Sequence, residues 1–288
     1  MTHTRFLHSI FLVAALGMSM GVKAQTVVTY PNIDGLGTQA IGYKVLELIL
    51  GKGGKPYQLQ VAVPPVNQNR ARAELEEGNI SVLDTGIQSD MESRFDPIYL
   101  PMDRGVLGWR LFIVHKDSVG DFSKIKGIED LRKKTAGQGQ GWGDIAILES
   151  AGLKVQTSAS IENLTQMVGG KRFDFLPLGA NEVYGFLEKY RKGDSNLVVE
   201  DHVVLVYPFG RFFYVKKGNK ELRAAIEAGM EAALADGSLQ KLLVSHTMFK
   251  DAFFKANLKS RTVIRIDSPG MPEGFKTIDK KWWFDPQK

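Results

Sequence analysis

Val27-Val28-Thr29-Tyr30 is a run of β-branched and aromatic residues stopped by Pro31 and the turn-rich Asn32-Ile33-Asp34-Gly35, and it reads as a short strand. Downstream, Ile41, Val45, Leu48 and Ile49 recur at helical spacing, and Gly51, Gly53 and Gly54 end that helix. Tyr57 to Val63 forms a second strand ended by Pro64-Pro65. Arg70 to Glu77 is a polar helix followed by Gly78, and Ile80 to Leu83 is a third strand closing at Asp84-Thr85-Gly86. This strand-helix alternation predicts an α/β fold with a parallel sheet covered by helices. Ligands bind such sheets beyond the carboxyl ends of the strands, which marks Tyr30, Asp84 and Thr85 as candidates.

The pattern recurs in the middle of the chain. Leu111 to Val114, Thr135 to Gln138, Lys154 to Thr157 and Phe173 to Leu176 read as strands, with helical stretches between them and another from Asn181 to Tyr190. Val203 to Val206 and Phe212 to Val215 are extended, Glu221 to Leu234 and Leu239 to Val244 are helical, and Val263 to Ile266 is one more strand before Trp282-Trp283-Phe284. That aromatic tail is expected to pack as a cap, the usual fate of large aromatic side chains.

The first 24 residues belong to a different category. Arg5, the apolar run Ile10 to Met20, and Val22 and Ala24 before Gln25 follow the order of a secretory signal peptide, with cleavage expected after Ala24. The run is shorter than the roughly 20 residues that a membrane-crossing helix needs. Removing Arg5 and Lys23 leaves 35 basic against 32 acidic residues, a charge of +3 instead of +5. No block of five or six like charges appears, which argues against nucleic acid as a partner. With no cysteine, the chain has no disulfide, thiolate metal site or lipid-modified cysteine. The five histidines, His3, His8, His115, His202 and His246, lack metal-ligand spacing, so no metal and no cofactor is expected.

Three stretches carry a resemblance. Arg70-Ala71-Arg72-Ala73-Glu74-Leu75-Glu76-Glu77-Gly78-Asn79-Ile80-Ser81-Val82 joins helix, glycine and strand, and Met167-Val168-Gly169-Gly170-Lys171-Arg172-Phe173-Asp174 repeats the device. Tyr214-Val215-Lys216-Lys217-Gly218-Asn219-Lys220-Glu221-Leu222-Arg223, followed by Ala235-Asp236-Gly237-Ser238-Leu239, is the third. In this order they resemble the periplasmic solute-binding proteins of the family 3 type, which serve amino-acid and other polar-solute ABC transporters. The resemblance implies the two-lobed type II periplasmic-binding fold with two hinge crossings. It would comprise a discontinuous first lobe, residues 25–112 and 205–288, and a second lobe, 113–204. The outward crossing is expected near Arg110 to His115, the return near Leu205 to Phe209, and the pivot at Pro208-Phe209-Gly210.

Candidate site residues follow from position. Gly139-Gln140-Gly141-Trp142-Gly143-Asp144 hands a strand over to a helix, where free N–H groups attract anions; Gln140 can donate and accept, and Trp142 offers an apolar wall. Its spacing does not match nucleotide-binding glycine fingerprints. Arg94, Arg104 and Arg110 follow the third strand, where the resemblance implies an arginine on a substrate carboxylate; Arg94 and Arg104 are the preferred pair. Asn181 and Glu182 open a helix where the family often places an aspartate for a substrate amino group.

The expected function is a periplasmic receptor, not an enzyme. It would capture a small polar or anionic solute, amino-acid-like or a carboxylate, for an inner-membrane ABC permease or a sensor protein, acting as a monomer. The alternative is a periplasmic enzyme on the same fold, similar to the cyclohexadienyl dehydratases. That chemistry would need a poised group such as Asp84, Asp144 or Glu182. An interaction protein that has lost ligand binding is a third reading.

Overall fold

The computed structural model describes residues 25–87, 90–191, 193 and 196–286, and the expected signal peptide lies outside them. The first half runs β1 (Thr26–Tyr30), α1 (Ile41–Leu50), β2 (Tyr57–Val61), α2 (Gln68–Glu77), β3 (Val82–Gly86), α3 (Met91–Arg94) and β4 (Phe95–Ile98). A long strand, β5 (Trp109–His115), leads into α4 (Val119–Phe122), α5 (Ile128–Leu131), β6 (Thr135–Gly139), α6 (Asp144–Ser150) and β7 (Lys154–Ser158). Then come α7 (Ile161–Gly169), β8 (Leu176–Gly179), α8 (Val183–Tyr190) and β9 (Leu197–Val199). The chain returns through β10 (Val203–Val206) and β11 (Arg211–Lys216) to α9 (Lys220–Ala235), α10 (Ser238–Ser245), α11 (Lys250–Phe254), β12 (Thr262–Arg265) and α12 (Glu273–Lys276).

The strands form four hydrogen-bonded sheets among the described residues, grouped into two sets of similar order, each set counted as one sheet. In the first, β2 pairs in parallel with β1, Ser81 at the entry to β3 bonds Thr29 of β1 through backbone and side chain, and β11 runs antiparallel between β3 and β4. In the second, β7 pairs in parallel with β6, Gly137 of β6 bonds Phe175 just before β8, and β5 runs antiparallel between β8 on one side and β9 on the other. Each sheet thus receives one antiparallel strand that begins at a crossing. The crossings themselves pair, Trp109 opposite Val206 and Arg110 opposite Leu205. A strand from the C-terminal part, β12, adds to β10, so the hydrogen-bonded sheet that holds β5 extends to residue 265.

Local sequence explains most boundaries. Asn67 caps α2 by accepting from the Arg70 N–H, and Gly78 ends that helix with φ 91°, a left-handed turn that glycine adopts without a Cβ clash. Two strands run further than their apolar stretches. β3 continues through Asp84 and Thr85 to Gly86, and β8 runs through Pro177 to Gly179, because each has an antiparallel partner along that length. β4 is held against β11 although it contains Pro97, and it carries no alternation that a sequence pattern would show. The aromatic tail does pack as a cap. Trp282 is buried, Trp283 lies over Gly105, and Phe284 meets Trp109 and Phe253 edge to face. Among the described residues no helix is long and apolar enough to cross a membrane.

Candidate functional site

The carboxyl ends of the strands in both sheets converge on two clusters of charge. In the first, Asp84 of β3 is completely enclosed. Arg211 opens β11 opposite Gly86, two residues along the ladder, and this diagonal brings its guanidinium onto the Asp84 carboxylate with an Nε–Oδ2 distance of 2.9 Å. Tyr30 at the end of β1 donates its hydroxyl to Asp84 Oδ1. Burial and the Asp84 charge push the Tyr30 pKa well up. For Arg211, burial works against the charge, but Asp84 outweighs it and holds the pKa above the ordinary arginine value. The first turn of α1 abuts the pair, and a Cβ at Gly42 would collide with the Asp84 carboxylate.

The second cluster is assembled from four segments. Arg110 of β5, 3 % exposed, places Nη2 2.5 Å from Oδ1 of Asp144, the first residue of α6, and Nη1 3.5 Å from Oε1 of Glu182. Tyr207, just past β10, donates its hydroxyl to Asp144. The Arg110 guanidinium lies 5.3 Å from the Tyr207 ring and 5.0 Å from the Phe209 ring, within cation–π range. Burial opposes the Arg110 charge, yet Asp144, Tyr207 and Glu182 raise its pKa above the ordinary value. Glu182 also accepts from the Gly179 N–H at 3.0 Å, and 36 % of its side chain remains exposed. Burial of the carboxyl end raises its pKa, with Arg110 opposing.

This second cluster is incomplete. Arg110 Nε, Gln138 Oε1 and Asn181 Oδ1 are buried without a hydrogen-bond partner, a costly condition for polar atoms away from water. Asn181 and Glu182 line a cavity of about 520 Å³ that lies between α8 and the residues around Thr247 and Met248 that join α10 to α11. Across the cleft, Gly143 brings the loop before α6 close to the first sheet; a Cβ there would lie 3.7 Å from the Ile87 carbonyl and 3.9 Å from Phe209.

Several candidates sit elsewhere. Arg94 ion-pairs with Glu76 at 2.7 Å on the outer side of α2, and Arg104 bonds Gln240 Oε1 at 2.5 Å beneath the C-terminal tail. Neither joins the clusters. α3 turns Arg94 towards α2, and the turn at Arg104, with φ 53°, directs it to α10 and the tail. Arg110, from the same trio, does enter. Tyr30 is occupied by Asp84, and Thr85, the next residue along β3, falls on the opposite face of the sheet from Asp84. Gln140 is exposed, its backbone N–H bonded to Ser158, and half-buried Trp142 folds over Gly139, where a Cβ would collide with the indole. Of the eight candidates, Asn181 and Glu182 line the cavity between α8 and the α10–α11 junction. Arg211, Tyr207 and Gln138 were not read from the sequence. A signal for Arg211 exists: like Arg110 in Trp109-Arg110, it opens the strand that begins at a crossing, in Gly210-Arg211.

Glu200, Asp201 and His202 come together elsewhere, but Glu200 accepts from the His202 and Val203 N–H groups and pairs with Arg261 at 3.3 Å, so its carboxylate is committed to the turn.

Solved structures with a similar fold are numerous. The amino acid ABC transporter substrate-binding protein AbpA of Streptococcus pneumoniae, bound to L-arginine, is 18% identical and aligns over 80% of this chain and 96% of its own with a TM-score of 0.51. The fold is that of the two-lobed periplasmic binding proteins. A histidine kinase sensor domain with similarity to periplasmic binding proteins aligns over 77% of this chain and 96% of its own at 13% identity and a TM-score of 0.51. A double mutant of the BvgS VFT2 domain of Bordetella pertussis covers 75% and 91% at 16% identity and 0.53. No protein-family model and no curated protein sequence matches the chain.

Proposed function

We propose that this chain is a periplasmic solute receptor that captures a small polar molecule between its lobes and presents it to an inner-membrane ABC permease or to a sensor protein. The observation that carries the reading is the incomplete cluster around Arg110. Asn181, whose Oδ1 is buried without a partner, and Glu182 follow the carboxyl end of β8, where α/β folds bind ligands, and both line a cavity of about 520 Å³. The fold shared with AbpA and with a histidine kinase sensor domain is in keeping with either recipient.

In this reading, residues 25–112 and 205–288 form the first lobe and 113–204 the second, and the chain acts as a monomer. The Trp109–Val206 and Arg110–Leu205 pairs form the hinge core. Closure needs only a few backbone torsions to change, at Pro208-Phe209-Gly210. The dehydratase-like alternative is less well supported: Asp84 is neutralised by Arg211 and Asp144 by Arg110, which leaves neither free to act as a base.

Thermal denaturation with a panel of small polar metabolites tests the proposal. A ligand specific for the folded state stabilises it by about 2.7 kcal/mol at one hundred times its Kd. A shifted Tm, a smaller radius of gyration by X-ray scattering, and an unchanged ligand are expected. Consumption of the ligand would transfer the assignment to an enzyme. Export requires the N-terminal segment, and the mature protein recovered from periplasm should begin at Gln25 by mass spectrometry; retention of residues 1–24 would refute that part.

A further inference from the structure

The pairing of the cleft charges indicates what kind of solute fits. Three carboxylates, Asp84, Asp144 and Glu182, meet two guanidiniums, Arg110 and Arg211. Asp84 takes Arg211, Asp144 takes Arg110, and Glu182 is left with a longer contact of 3.5 Å to an arginine already engaged. An incoming carboxylate would therefore have to displace Asp84 or Asp144 from its partner, and the displaced carboxylate would be left buried and uncompensated. Of the other two arginines that follow the third strand, Arg94 is paired with Glu76 and Arg104 is held by Gln240 and the Lys281 carbonyl, away from both clusters.

The groups with spare capacity are mostly acceptors. Gln138, 1 % exposed, donates its Nε2 to the Pro177 carbonyl at 3.2 Å; only the amide nitrogen can serve a carbonyl, so the unpartnered atom is its oxygen. Asn181, 6 % exposed, lines the cavity and has a buried, unpartnered Oδ1, and its neighbour Glu182 is part-exposed there. The donors without a hydrogen bond, Arg110 Nε and Nη2, belong to a guanidinium whose charge is already balanced by Asp144, so they suit a neutral acceptor better than an anion.

We propose, building on the receptor reading, that the cleft takes a cationic, donor-rich solute without a carboxylate, a small amine or guanidino-amine, with Glu182 as counter-ion and Asn181 as acceptor. Glu182 is a specificity-determining residue in this scheme, and Arg110 positions it.

A matched pair of probes tests this, because agmatine is arginine without its carboxylate. The protein, expressed with its own leader and purified from periplasm, is titrated calorimetrically with agmatine, 1,4-diaminobutane and 1,5-diaminopentane, and separately with L-arginine, L-glutamate and succinate. At least one of the three amines should bind, agmatine at least tenfold more tightly than L-arginine, and Glu182→Gln should weaken amine binding tenfold or more without lowering the Tm of the unliganded protein. Tighter binding of L-arginine, or binding of L-glutamate or succinate alone, overturns the cation proposal and leaves the receptor reading standing. Amine binding that survives Glu182→Gln unchanged also overturns it. Silence of all six probes on a folded protein overturns both.

Discussion

The Tyr30–Asp84–Arg211 cluster and the Tyr207–Asp144–Arg110 cluster use the same three residue types in the same pairing, a tyrosine hydroxyl and an arginine on one aspartate. Their settings differ. The first is built from β1 and from the neighbouring β3–β11–β4 sheet, with Asp84 wholly enclosed. The second draws on β5, α6, the segment after β10 and the residues before α8, and adds a partly exposed Glu182 and three orphan polar atoms. A complete buried network confers rigidity, whereas an incomplete one at the mouth of a cavity retains capacity for a ligand. Under the proposed receptor function, the first cluster serves stability and the second recognition.

The largest expected effect tests the structural side. Asp84→Ala leaves the part-buried Arg211 without its carboxylate, and since breaking one side of a fully buried pair costs about 3–5 kcal/mol, a loss of about 2–4 kcal/mol is expected, readable as a lower midpoint in urea. A loss under about 1 kcal/mol would show that the first cluster is not structural. Gly42→Ala pushes a methyl group into the same carboxylate and should cost about 1–3 kcal/mol, the range for overpacking. An unchanged midpoint would mean that α1 can shift away.

Paired tyrosine substitutions sharpen the contrast. Tyr30→Phe and Tyr207→Phe each remove one hydroxyl from an aspartate, an effect of about 0.5–1.5 kcal/mol. Tyr30→Phe should appear in the stability of the unliganded protein. Tyr207→Phe should appear mainly in ligand affinity, because its segment spans the hinge. Equal stability losses with equal affinities would erase the distinction.

Acid behaviour provides another test. Burial raises the folded-state pKa of Glu182, so the native state holds this proton more tightly than the unfolded chain does. Its contribution therefore destabilises the fold as pH rises from the ordinary glutamate range through the raised value, and the penalty vanishes below that range. Glu182→Gln should stabilise the unliganded protein at neutral pH, and the gain should fade on acidification. A gain that grows instead as pH falls would reverse the assignment. The smallest effect is expected at Arg94→Ala, which removes an exposed pair with Glu76 and should change stability by about 0–1 kcal/mol and affinity not at all. A tenfold loss of affinity there would return Arg94 to the site.

The alternation of strands and helices, the glycine stops and the return of the chain were legible in sequence because hydrophobic period and turn residues are local properties. They suffice for an α/β fold with two parallel sets, and the order of the motifs points to two lobes. Position alone also brought Asp84, Asp144, Asn181 and Glu182 forward, since each follows a strand or opens a helix. The choice among arginines was not local. Arg94, Arg104 and Arg110 lie within seventeen residues, and what separates them is the direction in which α3, the turn at Arg104 and β5 point their side chains. Arg211 meets Asp84 across 127 positions of chain only because β11 comes back between β3 and β4. An ion pair depends on distance in space, and the antiparallel return strand that sets this distance exists only in the folded protein.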